Sequence, residues 1–280
     1  MSRRRSLENH QRSLAEIRGI MNSMKNLAYM EARKLVRFID AQQAVAQSIE
    51  TVAADFVHFH AAILPEVTAA TRVFLLLGSE RGFCGNFNHA MLKHMEEMSK
   101  QASQCPKLIP VGRKLGKLLE GDPRLAAVLD GASVLEEMAA VLMTIVRELT
   151  VLQQTHGLLT VIGIYHSAAG EIKAQQILPP FHHLMHQPSS FTSPPVLNQS
   201  PREFLLELTD HYLFATLYEI LYASFMAENH HRVGHLEAAV RHLDEQSASL
   251  ARQSNALRQE EIVEEIEVIL LNAVDHTGQG

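Results

Sequence analysis

The N-terminal part of the chain carries a long apolar repeat with helical spacing. From Leu14 onward, apolar residues recur at alternating steps of three and four, and no proline occurs before Pro65. This repeat predicts one helix of about 55 residues, roughly 80 Å long at ~1.5 Å per residue. Such a helix is longer than those of ordinary globular domains, so it needs a partner of similar length. The repeat consists of Leu14, Ile17, Met21, Met24, Ala28, Glu31, Leu35, Phe38, Gln42, Val45, Ile49, Val52 and Phe56, and only Glu31 and Gln42 interrupt its apolar character.

The C-terminal part carries a second repeat of the same kind. Leucine recurs every seven residues, at Leu236, Leu243, Leu250 and Leu257. After Leu257 the repeat changes phase, which is typical of a local unwinding of a supercoil. Because the middle of the chain joins the far ends of the two helices, we predict that they form an antiparallel coiled coil.

The middle of the chain predicts an α/β domain. Three short apolar runs bounded by turn residues predict buried strands, at Arg72–Gly78, Lys107–Gly112 and Leu158–His166. Between them, Asn88–Gln101 and Ser133–Gln154 have helical periodicity. Strands that alternate with helices are typical of a largely parallel, Rossmann-like sheet with crossover helices.

An edge strand and a long loop complete this domain. Glu171–Leu178 predicts the edge strand, because two prolines follow it directly. Pro179–Pro201 is rich in Pro, Ser and His and predicts a surface loop. We therefore expect an N-terminal coiled-coil helix at 1–64, a central α/β domain at 70–200 that ends in this loop, and a C-terminal coiled-coil helix at 201–280.

Composition excludes some classes of function. The formal net charge is −6, whereas a protein that binds nucleic acid mainly through its phosphates has a basic balance. The longest apolar runs are far shorter than the ~20 residues that a membrane span needs. We expect neither a nucleic-acid partner nor direct insertion into a membrane. Two cysteines, Cys84 and Cys105, predict a protein of a reducing compartment rather than a disulfide framework.

A glycine-bearing turn between the first strand and the next helix is the most suggestive local sequence. Gly78–Asn88 lies where nucleotide-binding folds hold phosphate. Its glycine spacing matches neither G-x-G-x-x-G nor G-x-x-x-x-G-K-S/T, which favours a tight structural turn over nucleotide binding. A reactive thiol at Cys84 is a further alternative, but no second cysteine and no paired histidine stand nearby, which favours a buried structural thiol.

The histidines and acids do not predict a metal site or an active site. The histidines cluster at His182, His183 and His186 and again at His230, His231 and His235. Metal ligation needs several converging donors, so a solvated histidine-rich surface is the favoured interpretation. The acids between Glu260 and Glu267 likewise predict a solvated helix face. We expect no catalytic residues, no metal and no cofactor.

Motifs that occur in order along the chain resemble the γ subunit of F-type ATP synthases. The turn Gly78–Asn88 is similar to that family's Ser/Thr-Asp-Arg-Gly-Leu-Cys-Gly-Gly-Leu-Asn stretch, through Gly78, Arg81, Gly82, Cys84 and Gly85. The family's Asn-x-x-Arg-Gln-x-x-Ile-Thr-x-Glu-Leu/Ile-x-x-Ile pattern is matched by Asn255, Arg258, Gln259, Ile262, Glu265 and Ile269. Its Ser-Glu-x-x-x-Arg-Met-x-x-Met-x-x-Ala run is matched by Glu228, Arg232, Leu236 and Ala239, and its first-helix motif by Ile20, Ser23, Met24 and Ala28.

The resemblance implies a rotor shaft that is not itself an enzyme. In that family the coiled coil turns inside a ring of alternating α and β subunits and couples ion flow through the membrane sector to ATP synthesis or hydrolysis. The α/β domain lies at the foot of the shaft with the ε subunit and the membrane c-ring. The implied location is peripheral, at the cytoplasmic face of a bacterial plasma membrane.

The resemblance also implies which residues meet other subunits. The residues that it places against the α/β ring are Met24, Arg258, Gln259, Ile262 and Glu265. For Arg258, an ion pair with Glu261 or Glu265 on the same helix is the alternative. The predicted coiled-coil seam consists of Leu14, Ile17, Met21, Leu236, Leu243, Leu250 and Leu257.

Some positions depart from the family pattern. Gly19-Ile20-Met21 replaces Lys-Ile-Thr, Val263 replaces a threonine, and His230-His231 replaces two alanines. This divergence resembles the alternative, sometimes sodium-linked, branch of bacterial F-type ATPases. Two other functions stay open on the residues alone. A non-rotary coiled-coil scaffold or adaptor would explain the helices, and a nucleotide-binding enzyme would use the Gly78–Asn88 turn.

Overall fold

Two long terminal helices and a four-stranded sheet make up the fold. The structure, a computed structural model, describes residues 3–64, 70–100, 105–185 and 191–277. Gln101 of the second predicted helix and residues 278–280 of the predicted C-terminal segment lie outside the described residues. The main elements are α1 (Arg3–His60), β1 (Thr71–Leu77), α2 (Phe87–Lys100), β2 (Lys107–Val111), α3 (Arg113–Leu118), α4 (Met138–His156), β3 (Leu159–His166), β4 (Ile172–Leu178) and α5 (Pro201–Thr277).

The start of α5 is set by local sequence. The Ser200 hydroxyl accepts a hydrogen bond from the Glu203 N–H at 3.4 Å, and the Glu203 carboxylate accepts one from the Ser200 N–H at 3.1 Å. These reciprocal contacts form a capping box. Pro201 occupies the first helical position, where its missing N–H costs no hydrogen bond. The helix therefore begins abruptly where the loop ends.

The sheet is largely parallel, as the sequence predicts. Its strand order is β2-β1-β3-β4, with β1 parallel to both β2 and β3 and with β4 antiparallel at the edge beside β3. The chain leaves β1 for β2 on one side and reaches β3 on the other. In open α/β sheets, ligands bind at the carboxyl ends of strands where the strand order reverses in this way. In this sheet, that position lies between the ends of β1 and β3.

The core occupies both faces of the sheet. Along β1, Val73, Leu75 and Leu77 belong to one buried cluster together with residues of α1, α4 and α5. The alternate residues Phe74 and Leu76 pack in a second cluster with α2 and α3. Because successive side chains of a strand point to opposite faces, a fully apolar run is the expected sequence for a strand covered on both sides.

The chain divides into two compact units, and residues 28–233 form the larger one. In this unit α1 and α5 run antiparallel, because contacts that ascend along α1 descend along α5. The rings of Phe38 and Tyr222 lie 6.3 Å apart, and those of Phe56 and Phe204 lie 4.8 Å apart. Between them, Gln42 Nε2 donates to the Ala215 carbonyl at 3.1 Å. The predicted antiparallel pairing of the terminal helices is confirmed here.

The predicted seam of α1 needs a correction in this unit. Phe38, Val45 and Val52 are 50%, 49% and 46% exposed, so their assignment to the seam was wrong. The buried residues are instead the alanines one position later, at Ala46 and Ala53. The observed repeat of α1 therefore steps first by four residues and then by three, whereas the predicted repeat steps by three and then by four. Alanine allows close approach of a neighbouring helix, and a search for bulky apolar residues overlooks it.

Residues 1–27 and 234–280 form the second unit. Leu14 and Leu236 are buried, whereas Met21, Leu243, Leu250 and Leu257 are half-buried. Ile17, which the repeat places in the seam, is instead 43% exposed. The guanidinium of Arg18 reaches the Asp244 carboxylate of α5, with Nη2 3.3 Å from Oδ2. Since Arg18 faces α5, the preceding Ile17 lies to the side of the helix contact.

Candidate functional site

The turn that follows β1 has a conformation imposed by close packing. Gly78 lies so near to Leu115 that a Cβ on this glycine would come within 2.4 Å of the Leu115 Cβ. Phe83 and Gly85 have φ angles of 64° and 59°, in the left-handed region. The absence of a side chain at Gly78 is therefore required by packing against α3.

Side chains of α5 bind the main chain of this turn directly. Glu228 is 3% exposed, and its Oε1 accepts a hydrogen bond from the Arg81 N–H at 3.3 Å. Arg232 is 5% exposed, and its Nε donates to the Gly82 carbonyl at 3.2 Å. One turn of helix earlier, the Ser224 hydroxyl donates to the Leu77 carbonyl at 2.9 Å. Three residues of α5 at steps of four thus hold the end of β1 and the turn.

The buried charges in this cluster are fully paired. Arg232 Nη2 donates to the Glu228 carboxylate and, at 3.4 Å, to Cys84 Sγ. Arg232 Nη1 donates to Asn229 Oδ1 at 2.7 Å. A buried guanidinium is tolerated only when its donors and its charge have partners, and each nitrogen of Arg232 has one.

The carboxylate of Glu228 occupies the position at which such folds bind anions. In nucleotide-binding folds, main-chain N–H groups of a glycine turn donate to phosphate at the carboxyl end of the first strand. Here the Arg81 N–H donates to a carboxylate of the same chain. A phosphate in this position would have to displace the buried pair of Glu228 and Arg232. The geometry therefore favours a structural role over nucleotide binding. In this role Glu228 and Arg232 act as an internal anchor, which attaches α5 to the turn after β1.

Cys84 belongs to this anchor, and its thiol is unreactive. Its Sγ lies 3.5 Å from the carbonyl oxygens of Arg81 and Gly82. Burial raises the pKa of the Cys84 thiol to about 11, and it outweighs the opposing effect of the nearby Arg232 charge. The thiol is protonated at neutral pH, which is the behaviour of a structural cysteine.

A buried histidine completes the region between β1 and β3, and the sequence does not predict it. His166 ends β3, stacks on Phe87 with ring centroids 3.9 Å apart, and places Nε2 3.0 Å from the Phe87 carbonyl. The ring of His231, on α5, lies 5.7 Å from that of His166. Burial lowers the pKa of His166. The position of His166 at the end of an apolar run was the feature of the sequence that could have predicted its burial.

A second buried carboxylate, that of Glu80, stabilises the other side of the turn, and within the described residues it forms no hydrogen bond with α5. Glu80 accepts hydrogen bonds from the N–H groups of Arg113 and Gly131, each at 2.9 Å, and pairs with the Arg113 guanidinium. Burial alone would raise the pKa of Glu80, but these donors outweigh it and the pKa is lowered. The turn thus has two carboxylate anchors, of which only Glu228 comes from α5.

The predicted ring-contact residues lie in the second unit. Met24 is half-buried, and Arg258, Gln259, Ile262 and Glu265 are exposed. The Arg258 side chain forms no ion pair or hydrogen bond within the described part of the chain, so the alternative of a pair with Glu261 or Glu265 is not observed. Arg258 is available to another molecule.

Two further properties concern membranes and metals. No helix within the described ranges has an apolar stretch long enough to cross a bilayer. Among the same residues, no three His, Cys, Asp or Glu side chains come together in a way that could hold a metal ion. His186 of the predicted histidine cluster lies outside the described residues.

Comparison with protein families and sequences gives matches over most of the chain. Residues 3–273 match the family model described as ATP synthase. The ATP synthase gamma chain of Caldanaerobacter subterraneus subsp. tengcongensis is 23% identical over 288 residues, which cover 94% of this chain and 96% of that protein. The gamma chain of Acetivibrio thermocellus is 26% identical over 99 residues, which cover 32% of this chain and 33% of that protein.

Solved structures with a similar fold come from ATP synthase rotors. A chain of the Euglena gracilis mitochondrial ATP synthase rotor in rotational state 1 matches with a TM-score of 0.63 and 15% identity, and covers 92% of this chain and 98% of its own length. A chain of the Tetrahymena thermophila mitochondrial ATP synthase central stalk and c-ring matches with a TM-score of 0.58 and 16% identity, over 79% of this chain and 99% of its own length. At these identities the likeness shows the fold.

The close packing at Gly78 generates a stability prediction with a control in the same turn. We expect Gly78→Ala to lower the free energy of unfolding by ~1–3 kcal/mol, because the added methyl group overpacks against Leu115. Gly82→Ala should change it little, since a Cβ there meets only the flexible end of Lys114 at 3.7 Å. Urea unfolding of both variants checks this. Equal destabilisation would show that Gly78 is not the packing-critical glycine.

The two cysteines should differ in reactivity. With iodoacetamide at pH 7.5, we expect rapid alkylation of Cys105, which is exposed, and none of Cys84, whose thiol is buried and protonated. Peptide mass spectrometry over a time course distinguishes the two sites. Both should react in 6 M guanidinium chloride, and comparable rates in the native protein would contradict the buried position of Cys84.

Proposed function

The chain belongs to the ATP synthase family, and we propose from this membership that it works as the gamma subunit, a non-catalytic rotor shaft. It is the central rotor subunit of an F-type ATP synthase, and it couples ion flow through the membrane sector to ATP synthesis or hydrolysis by other subunits. The observation that carries this conclusion is the family match over residues 3–273. Its partners are the α and β subunits, the ε subunit and the c-ring.

The geometry is suited to this role in two respects. The antiparallel α1 and α5 give a two-helix element in which the directed hydrogen bond of Gln42 to Ala215 supplements apolar packing. In addition, α5 is anchored to the turn after β1 through buried, paired charges. A helix that carries mechanical load needs fixed attachment to its base, and buried ion pairs with complete hydrogen bonding provide it.

We place the contact with the α/β ring at Met24, Arg258, Gln259, Ile262 and Glu265. The exposure of Arg258 and the lack of a partner for it within the described residues support this assignment. Arg258 carries a planar guanidinium with five donors, which suits a carboxylate on a surrounding subunit. The family resemblance implies that this contact is made in only one rotary state, so it must form and break during each turn.

We assign the complex to the cytoplasmic face of a bacterial plasma membrane, where this subunit is peripheral. The two gamma chains named above as relatives come from bacteria, which supports that location. We also assign the chain to the alternative, sometimes sodium-linked branch of bacterial F-type ATPases. The support for this branch is the set of departures from the family pattern, above all His230-His231 in place of two alanines.

Reconstitution tests the rotor function. The purified chain should hydrolyse no ATP, because its sequence contains no phosphate-loop motif and its described residues contain no metal-ligand cluster. Assembled with α and β subunits, and carrying a bead on exposed Cys105, it should rotate in one direction when ATP is added. Hydrolysis by the chain alone would contradict its assignment as a non-catalytic subunit, and a complex that hydrolyses ATP without turning the bead would contradict the shaft.

The proposed ring contact has a matched control on the same helix. We expect the double variant Arg258→Ala, Gln259→Ala to leave the melting temperature of the free chain unchanged and to lower ATP turnover of the reconstituted complex, since it removes an intermolecular contact. The same dipeptide occurs at Arg252-Gln253, which is also exposed. Its double alanine variant should retain turnover. Loss of monomer stability with normal turnover per complex would instead place Arg258 in an intramolecular role.

A further inference from the structure

We propose that Glu228 and Arg232 form a rotational lock, which fixes the angle of α5 about its own axis relative to the α/β domain. This inference rests on the proposed rotor function and names the residues through which α5 and its base turn together. The lock consists of three hydrogen bonds: the Ser224 hydroxyl donates to the Leu77 carbonyl, the Glu228 carboxylate accepts from the Arg81 N–H, and Arg232 donates to the Gly82 carbonyl.

The position of these residues along the helix makes them sensitive to rotation. Residues four apart lie on one face of an α-helix, one above the other. Ser224, Glu228 and Arg232 therefore form a single row, which lies along the turn. A shift of α5 by one residue rotates the helix by about 100° and removes the whole row from its partners. All three hydrogen bonds are consequently broken by the same motion, rotation of α5 about its axis, and all three oppose it.

Apolar packing alone would not provide this resistance. Phe225 and Ala227 of α5 are buried in two separate apolar clusters, one for each face of the sheet. Hydrophobic burial is non-directional and changes little when one apolar side chain replaces another in a contact. A hydrogen bond depends on both distance and angle. The polar row is therefore the part of the interface that can specify one rotational setting.

The partners of the lock cannot move away independently. Each accepting or donating group on the domain side is a main-chain group, within or directly next to the tightly packed turn that begins at Gly78. On the helix side, Arg232 is held in addition by Asn229, whose Nδ2 donates to the Phe225 carbonyl at 2.9 Å. Removal of either charge leaves the other buried and unpaired, which is strongly unfavourable. Loss of either partner therefore weakens the whole lock.

The chain contains a matched control for the lock. Glu80 is also a buried carboxylate that accepts main-chain N–H donors of this domain and pairs with an arginine, Arg113. The partners of the Glu80 carboxylate lie at the start of α3 and at Gly131, and within the described residues this side chain forms no hydrogen bond with α5. A change at Glu80 should therefore weaken the domain to a similar degree without releasing the helix.

A distance measurement on the free full-length chain tests the rotational setting. Spin labels are placed at exposed Cys105 and at His230→Cys, an exposed position on α5. Glu228→Gln keeps the shape and one acceptor oxygen but removes the charge that balances Arg232. We expect it to broaden the distance distribution, and we expect Glu80→Gln to leave the distribution as narrow as in the parent. Equal widths for Glu228→Gln and the parent would overturn the proposal.

The second measurement uses the assembled complex in membrane vesicles and compares ions pumped per ATP hydrolysed. Glu228→Ala should lower this ratio severalfold per assembled complex, Glu228→Gln should lower it less, and Glu80→Ala should leave it at the parent value. An unchanged ratio in both Glu228 variants, or an equal fall with Glu80→Ala, would overturn the lock. If the parent complex itself neither rotates nor pumps, the rotor function fails instead, so the two failures are distinguishable.

Discussion

The buried ion pair of Glu228 and Arg232 determines how the turn after β1 is filled and how α5 is attached to the sheet. Its charges lie at the carboxyl ends of the strands, where an open α/β sheet otherwise binds ligands. Because the guanidinium needs the carboxylate, and the carboxylate accepts the Arg81 N–H, the turn after β1 is filled by α5. The same interaction thereby excludes a phosphate and attaches the long helix. Gly78 contributes to the shape of the turn through its close packing against Leu115 of α3.

The local sequence was sufficient to predict those features of the fold that depend only on neighbouring residues. The predicted strands agree with β1, β2 and β3 to within one residue at each end, because apolar runs bounded by turn residues have few alternatives. The start of α5 at Pro201 follows from a capping box and a proline at the first helical position. Leu14 and Leu236, which belong to the apolar repeats of the two terminal helices, are buried. Each of these features is encoded within a window of a few residues.

Long-range packing accounts for what the sequence left undetermined. Ala46 and Ala53 are buried, Ala53 in a cluster with Leu208 and Tyr212 of α5, and nothing within α1 distinguishes these two from exposed alanines. Glu228 and Arg232 stand out in the sequence only through their resemblance to a family motif, since their partners at Arg81 and Gly82 lie about 150 residues away along the chain. His166 was overlooked for the same reason, because its stacking on Phe87 is a tertiary contact between β3 and α2.

The two sets of polar residues on α5 differ in a way that matches the demands on a rotating shaft. A contact with a stationary ring must be remade in every turn, so its residues have to be exposed in the free chain, and Arg258, which we propose for such a contact, is exposed. A contact within the rotor must never open during a turn. For such a contact, burial is an advantage, because an unpaired charge in a dry environment makes each opening costly. Arg232, with a partner for every nitrogen, meets that requirement. Burial thus separates Arg232, which we propose for a permanent contact, from Arg258 on the same helix, which we propose for a transient one.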